Sequence, residues 1–442
     1  MIPIRLDLPA KVEDVPRINT LNSYLPLRNN KNEFSWDVVI GLFLGYACNL
    51  QIQDYSQERF VEDCRKVFEE KLEEVEFWNV LKRMYFENGA FFNIAPECQL
   101  FRAQKANVRA AEERIALMYF SLLNGLDLSG CFGGKINFIE QHIVETLQKK
   151  LVSVTTPSKE HPYLPYLSDR FREDLVFLTS KPKYMLGELK NFLAVYGFLY
   201  CTQLALNLLE WRKETPKPKP LYFILDNEKA SLERTEIQRY GWRSFYDAAQ
   251  NLFPVLSMLE NLQLEDKNSI KHPLWHMAES IKNHEDADRY KDAFMKFAIC
   301  FKEQRNLNTE LKQSNDVLDW IDNLIKLAIS QFSKDLPDSS RYDVNRKYVK
   351  EVVELICEGF VQNRRRGGLV LVINQDRLIL LTNIAIGSAE KLRFHELILA
   401  FENRGIYLDK QTQQKLIEFY ERIGNVDRMS DSGDAVYVRK TI

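Results

Sequence analysis

The residues best suited to chemistry sit near the C-terminus: Arg364-Arg365-Arg366 before Gly367-Gly368, then Lys410, Gln411, Gln413, Gln414 and Lys415, then Arg428, Arg439 and Lys440. Guanidinium and ammonium groups hold phosphate oxygens, and glutamine amides can read the edges of adenine, so this set suits contact with DNA. The other candidates are weaker. Gly133-Gly134-Lys135 lacks the spacing and the following hydroxyl of a phosphate-binding loop. His272, His276, His284 and Glu285 lie close in sequence, and His272 and His276 can share a helix face, but the HExxH order of a zinc site is absent. Asp226 ends an apolar run, as metal-binding carboxylates of some nucleases do, without the second acid and the lysine on an adjoining strand that such a site needs. Glu188-Leu189-Lys190 reads as the charged filler of a helix, and Trp242 with Arg239, Tyr240 and Arg243 reads as the packed start of one, although it could also stack on bases. No nucleophile has an adjacent base. The expectation is therefore no catalytic residue, no metal and no cofactor, with a metal-dependent nuclease as a minor alternative.

The elements that must position the basic set follow a recognisable order. Leu369-Val370-Leu371-Val372-Ile373 is a β-prone apolar run after a glycine break. Asn374 and Asp376 start a helix to about Ile386, which Gly387 stops. A second helix is expected from about Leu392 to Asn403, and a third after Asp409 with Leu416, Tyr420 and Ile423 as its apolar stripe. Val426 to Met429 and Ala435 to Lys440 then alternate as a hairpin around Ser430-Asp431-Ser432-Gly433-Asp434. Strand, three helices and hairpin is the order of a winged helix-turn-helix, whose third helix can enter a DNA major groove. Such units also dock proteins. From Arg364 onward there are thirteen Lys/Arg against ten Asp/Glu, and Glu418 and Glu421 on the third helix would repel phosphate. The Arg triplet and the Gln/Lys face favour DNA over a docking scaffold.

The rest of the chain predicts a mostly α, multi-helical body with few short strands. Its 442 residues, 45% hydrophobic with a formal net charge of −2, fit two or three domains and exclude a protein whose whole surface binds nucleic acid or membrane. The expected division is 1–215, 216–342 and 343–442, with the first boundary at Thr215-Pro216-Lys217-Pro218-Lys219-Pro220, since alternating prolines favour an extended chain. Residues 1–8 alternate like a short strand and lack a signal-peptide core. Helices are expected from Ser56 towards Asn88, Val108 to Leu122, Phe138 to Leu151, Trp242 to Leu262, Asp288 to Lys302, Glu310 to Phe332 and from Asp343. Asn191 to Leu209 has no charge and could span a bilayer by length, but Asn191, Thr202, Gln203 and Asn207 argue for a buried helix and no membrane contact. Seven scattered cysteines with no CxxC pair suggest reduced thiols in a cytoplasmic protein.

Two stretches carry a family resemblance. Leu221-Tyr222-Phe223-Ile224-Leu225-Asp226 with Arg239-Tyr240-Gly241-Trp242, and Arg404-Gly405-Ile406-Tyr407-Leu408-Asp409 with the tail from Ser430 to Val438, resemble the DNA-phosphorothioation-dependent restriction proteins of the DptG family. That family's tail is polar where this chain has Val436. The resemblance implies a bacterial, antiviral role beside two partner subunits, DptF-like and DptH-like, the latter a helicase-type ATPase, acting on DNA that lacks the host's sulfur modification. It carries no catalytic residue onto this chain.

Overall fold

The two apolar runs at 221–225 and 369–373 become neighbouring strands, and both faces of the sheet they form are covered. In the computed structural model about 59% of the chain is helical, with few short strands. Described are residues 2–9, 11–15, 19–71, 75–104, 108–131, 136–154, 160–213, 215–266, 269–336, 340–429 and 435–442. The glycine turn Gly133-Gly134-Lys135 and the hairpin turn from Ser430 to Asp434 lie outside them.

The strands are β1 (Leu50–Ile52), β2 (Leu151–Ser153), β3 (Leu221–Leu225), β4 (Val361–Asn363), β5 (Leu369–Ile373), β6 (Lys391–Arg393), β7 (Ile406–Leu408), β8 (Val426–Met429) and β9 (Ala435–Arg439). They form a β1-β2 pair, a four-stranded sheet in the order β4-β5-β3-β7 and a three-stranded sheet in the order β6-β9-β8. In the larger sheet β3 runs parallel to β5, with Leu225 opposite Ile373, and parallel to β7, with Leu221 opposite Ile406. Leu221, Phe223, Leu371, Ile373, Ile406 and Leu408 face the main core, while Ile224, Val370 and Val372 pack on Ile237 of the helix Thr235–Tyr240. Burial on both faces is why these runs do not alternate with polar residues.

The sheet crosses the expected division at 342/343: β3 comes from the middle stretch and lies between β5 and β7 of the C-terminal one. The proline segment is tied down as well. Gln203 donates to the Lys219 carbonyl (2.9 Å) and accepts from its N–H (2.8 Å), so the extended 216–220 run is clamped to the preceding helix. That helix, Pro182–Asn207, is the long uncharged stretch of the sequence. With its 3-10 extension it is long and apolar enough to cross a membrane, and 83% of its most apolar window is buried within the protein. Gly197 is required there because a Cβ would come within 2.5 Å of the Tyr119 hydroxyl.

Several expectations are corrected. Residues 2–8 form no strand; Ile2 and Ile4 are instead buried in the core. The 242–262 helix is two, Trp242–Ala249 and Leu252–Leu262. The helix expected from Glu310 begins at Val317, where Asp316 caps it by accepting the Leu318 N–H. Residues 391–393, placed in a helix or its approach, form β6, and the helix after it is Phe394–Glu402. Ile423 is exposed at 37%, and Phe419 takes its place in the apolar stripe.

Three further helices build the C-terminal region around β5 to β9. Asn374 caps Gln375–Ile386 by accepting the Arg377 N–H at 2.9 Å. Arg404 follows Phe394–Glu402 and is 4% exposed; its Nε and Nη2 reach the two Asp174 oxygens at 2.9 and 2.5 Å, and Tyr196 donates to the same carboxylate. Asp174 lies on Pro165–Thr179, so a buried fork-to-fork ion pair joins the N-terminal helices to the C-terminal region.

Candidate functional site

Helix Lys410–Arg422 begins where β7 ends, and its first turn is fixed by a buried polar network. The Asp409 carboxylate accepts the Thr412 N–H at 2.9 Å, capping the helix. Arg234 grips Asp409 through Nε (2.8 Å) and Nη2 (2.6 Å), meets Glu228 through Nη1 (2.7 Å) and reaches the Thr412 hydroxyl (2.5 Å). Glu228 also accepts the Leu225 N–H at 3.0 Å. The side chains of Arg234, Glu228 and Asp409 are 7%, 3% and 11% exposed. Burial works against ionisation of both Arg234 and Asp409, yet the pairing outweighs it, raising the arginine and lowering the carboxyl from their ordinary values. The second carboxylate is offset by the helix N-terminus and the strand-end N–H.

Beside this network lies a groove of about 350 Å³ between the loop after β3 and the outer face of the helix. Asn227 and Lys229 form one wall; Gln411, Lys415, Glu418 and Arg422 form the other. It opens at the carboxyl ends of parallel strands, where α/β proteins commonly place ligands.

The eleven residues singled out for DNA contact fall into distinct groups. Lys410, Gln411, Gln414 and Lys415 are exposed on the helix, opposite the buried Thr412, Leu416, Phe419 and Tyr420. Gln413 instead turns inward and donates to the Leu408 carbonyl at 2.8 Å. Arg365 and Arg366 are exposed and without an ion pair among the described residues, with Arg365 in the left-handed region at φ 52°. Arg364 is half-buried and donates to the Asp226 carbonyl, so it ties the β4-β5 turn to the loop after β3. Gly367 stands against Ala230 of that loop, where a Cβ would come within 2.9 Å. The loop therefore touches the Arg turn on one side and the helix on the other.

On the ribbon Arg428 pairs with Glu421, Arg439 reaches Asp427 at 3.3 Å and Lys415 reaches Glu418 at 2.7 Å. Lys440 donates to the Gly387 carbonyl at 3.0 Å and sits over Phe177, a packing role rather than an exposed one.

The remaining sequence candidates separate. His272 and His276 do lie together, their rings 4.7 Å apart, but the third ring is His161, 5.7 and 5.0 Å away. His284 pairs instead with Asp286 at 3.8 Å. His161 lies 111 positions from His272 in sequence, too far for spacing to signal. Burial first, and then the neighbouring rings, push His272 down to about 4 and lower His276. Among the described residues no three His, Cys, Asp or Glu side chains are placed to hold a metal ion. Asp226 spends its N–H on the Ile373 carbonyl (3.2 Å) and its carbonyl on Arg364. Trp242 is 8% exposed and packs on Phe245 and Tyr246, leaving its ring little access to a base. All seven cysteines are free, five of them buried, while Cys131 is exposed and Cys300 half-buried.

The chain matches no protein-family model and no curated protein.

Proposed function

We propose that the chain is a non-catalytic subunit that holds duplex DNA through its C-terminal region, used as a winged helix-turn-helix. The order helix Gln375–Ile386, β6, helix Phe394–Glu402, helix Lys410–Arg422, β8, β9, with β9 central in its sheet, is the connectivity such a unit requires. The observation that carries the reading is the division of helix Lys410–Arg422 into a buried face and an exposed face bearing Lys410, Gln411, Gln414 and Lys415. Arg365, Arg366 and Lys229, exposed beside that helix through the loop after β3, supply further cations for the backbone. The resemblance to the DptG family adds a setting, restriction of unmodified DNA in the cytoplasm beside DptF-like and DptH-like subunits, and that setting belongs to the proposal.

A second reading is favoured by the ion pairs: Lys415, Arg428 and Arg439 each meet a carboxylate of this same region, which leaves a nearly neutral surface suited to a partner protein. Salt dependence separates the two. Each phosphate contact contributes a log-log slope of about −0.9 to duplex affinity. Changing Arg365 and Arg366 to Ala should flatten the slope by roughly 1 to 2, by the same relation. An unchanged slope, or no duplex binding by the parent at low salt, refutes the DNA reading; binding of a helicase-type ATPase by that same surface would then support docking.

A further inference from the structure

At the end of helix Pro182–Asn207 the chain turns through Trp211 and returns as the extended 216–220 run, enclosing a cavity of about 290 Å³. That size is at the lower end of small-molecule sites, which start at roughly 300 Å³. Two indoles, Trp211 and Trp275, line it, both at least nine-tenths buried (5% and 7% exposed). Lys213, Lys217 and Lys219 also line it, with Glu210 as the only carboxylate among the described lining residues.

Glu210 pairs with Lys219 and, at 3.5 Å, with Lys213, so one carboxylate shares two ammonium groups and the surroundings favour an added anion.

Two polar groups here lack partners. Asn207 is 5% exposed and its Nδ2 donates to the Gln203 carbonyl at 2.9 Å, but its Oδ1 accepts no hydrogen bond from a described residue. The Trp275 indole N–H donates to the Tyr163 carbonyl at 3.0 Å, whereas that of Trp211 donates to no described residue. Buried polar groups are almost always paired, so one open acceptor and one open donor facing a shared cavity are a ligand signature.

The walls are held in place. Gln203 bonds Lys219 at both its N–H and its carbonyl, and the prolines stiffen the run between them, so the lysines are presented on a fixed chain.

We propose that this cavity binds a nucleoside monophosphate, with the purine between the indoles and the phosphate at the lysines. Adenine offers an amino donor and a ring-nitrogen acceptor side by side, the complement of the Asn207 carbonyl and the Trp211 N–H. Aromatic rings stack on bases without further reading, and ammonium groups take the phosphate. The site is separate from the C-terminal groove and stands whether or not DNA binds there.

The test is calorimetric titration of the full chain with adenosine 5′-monophosphate, adenosine and inorganic phosphate in turn. The monophosphate should bind at one site, with adenosine and phosphate each at least tenfold weaker. The double change Lys213→Glu and Lys217→Glu should weaken the monophosphate tenfold or more with an unchanged melting temperature. Trp211→Phe, which keeps a ring and removes the N–H, should weaken it severalfold. No heat with the monophosphate at millimolar concentration overturns the proposal, as does phosphate binding as tightly as the nucleotide, or affinity that survives the double charge reversal in a folded protein.

Discussion

Replacing Arg234 with Met should destabilise the protein by about 3 kcal/mol. Removing one partner of a buried ion pair costs roughly 3–5 kcal/mol, because the partner left behind stays buried and charged. Here two carboxylates are left, Glu228 and Asp409, with side chains 3% and 11% exposed. Each keeps other donors, the Leu225 N–H for Glu228 and the Thr412 N–H for Asp409, which places the cost at the low end. Unfolding entropy of roughly 2.1 cal/mol/K per residue gives about 0.9 kcal/mol/K for the whole chain, so the melting temperature should fall by about 3 °C if it unfolds as one unit. Calorimetry and urea unfolding measure it. The triple change Arg234→Met, Glu228→Gln, Asp409→Asn should recover most of the loss, because asparagine still caps the helix and no charge is stranded. The sign with pH also follows. Asp409 is held below its ordinary range, so its contribution is present above that range and is lost as pH falls through the folded value; Arg234→Met should remove that acid dependence. A loss under 1 kcal/mol for Arg234→Met, or a triple variant no better than the single, refutes the account of this network.

Further outcomes follow from other parts of the fold. Burial pushes the Glu160 carboxyl from 4.5 up to about 7, against hydrogen bonds from the Ser23 hydroxyl and N–H. The folded state then holds a proton the unfolded chain has released, so stability should fall as pH rises between those values, by roughly 3 kcal/mol at 1.36 per pH unit, and Glu160→Gln should remove the slope; equal slopes count against it. Gly405→Ala should cost about 2 kcal/mol or more in urea unfolding, since φ is +86° and the new Cβ would stand 2.3 Å from the Gln203 amide nitrogen; a midpoint within error of the parent contradicts this. An aromatic disulfide reagent should titrate one or two thiols in the native protein, Cys131 first, and all seven after unfolding, because Cys48 and Cys64 are buried with thiols pushed up to about 12. Five rapid equivalents would show that the core is open.

What the sequence made legible were the elements with long or strongly marked patterns. The runs at 221–225 and 369–373 announce buried strands through composition, and Asn374, Asp409, Gly387 and Gly424 mark helix ends by cap chemistry that operates within a few residues. The third helix and its exposed Lys410, Gln411, Gln414 and Lys415 follow from the 3.6 period. Strands β6 and β7 were not legible, because three residues give period 2 nothing to repeat, and their strand character comes from Val438 and Leu221 opposite them. Nor does spacing reveal that Arg234 belongs with Asp409, or Arg404 with Asp174, since those pairs join positions 175 and 230 residues apart. The ion pairs that quench Lys415, Arg428 and Arg439 are equally a matter of three-dimensional neighbours.

Strand β7, lying in the short connection between two helices and bonded to β3, has a practical corollary for anyone dissecting the molecule. Severing the polypeptide near residue 342 would strip β5 and β7 of the neighbour between them and bare the backbone groups of all three. Fragments made that way should self-associate through those raw edges. Motion of the Lys410–Arg422 helix on gripping a ligand would likewise pull on a strand rooted far upstream, so the body of the protein would register what its tail has caught.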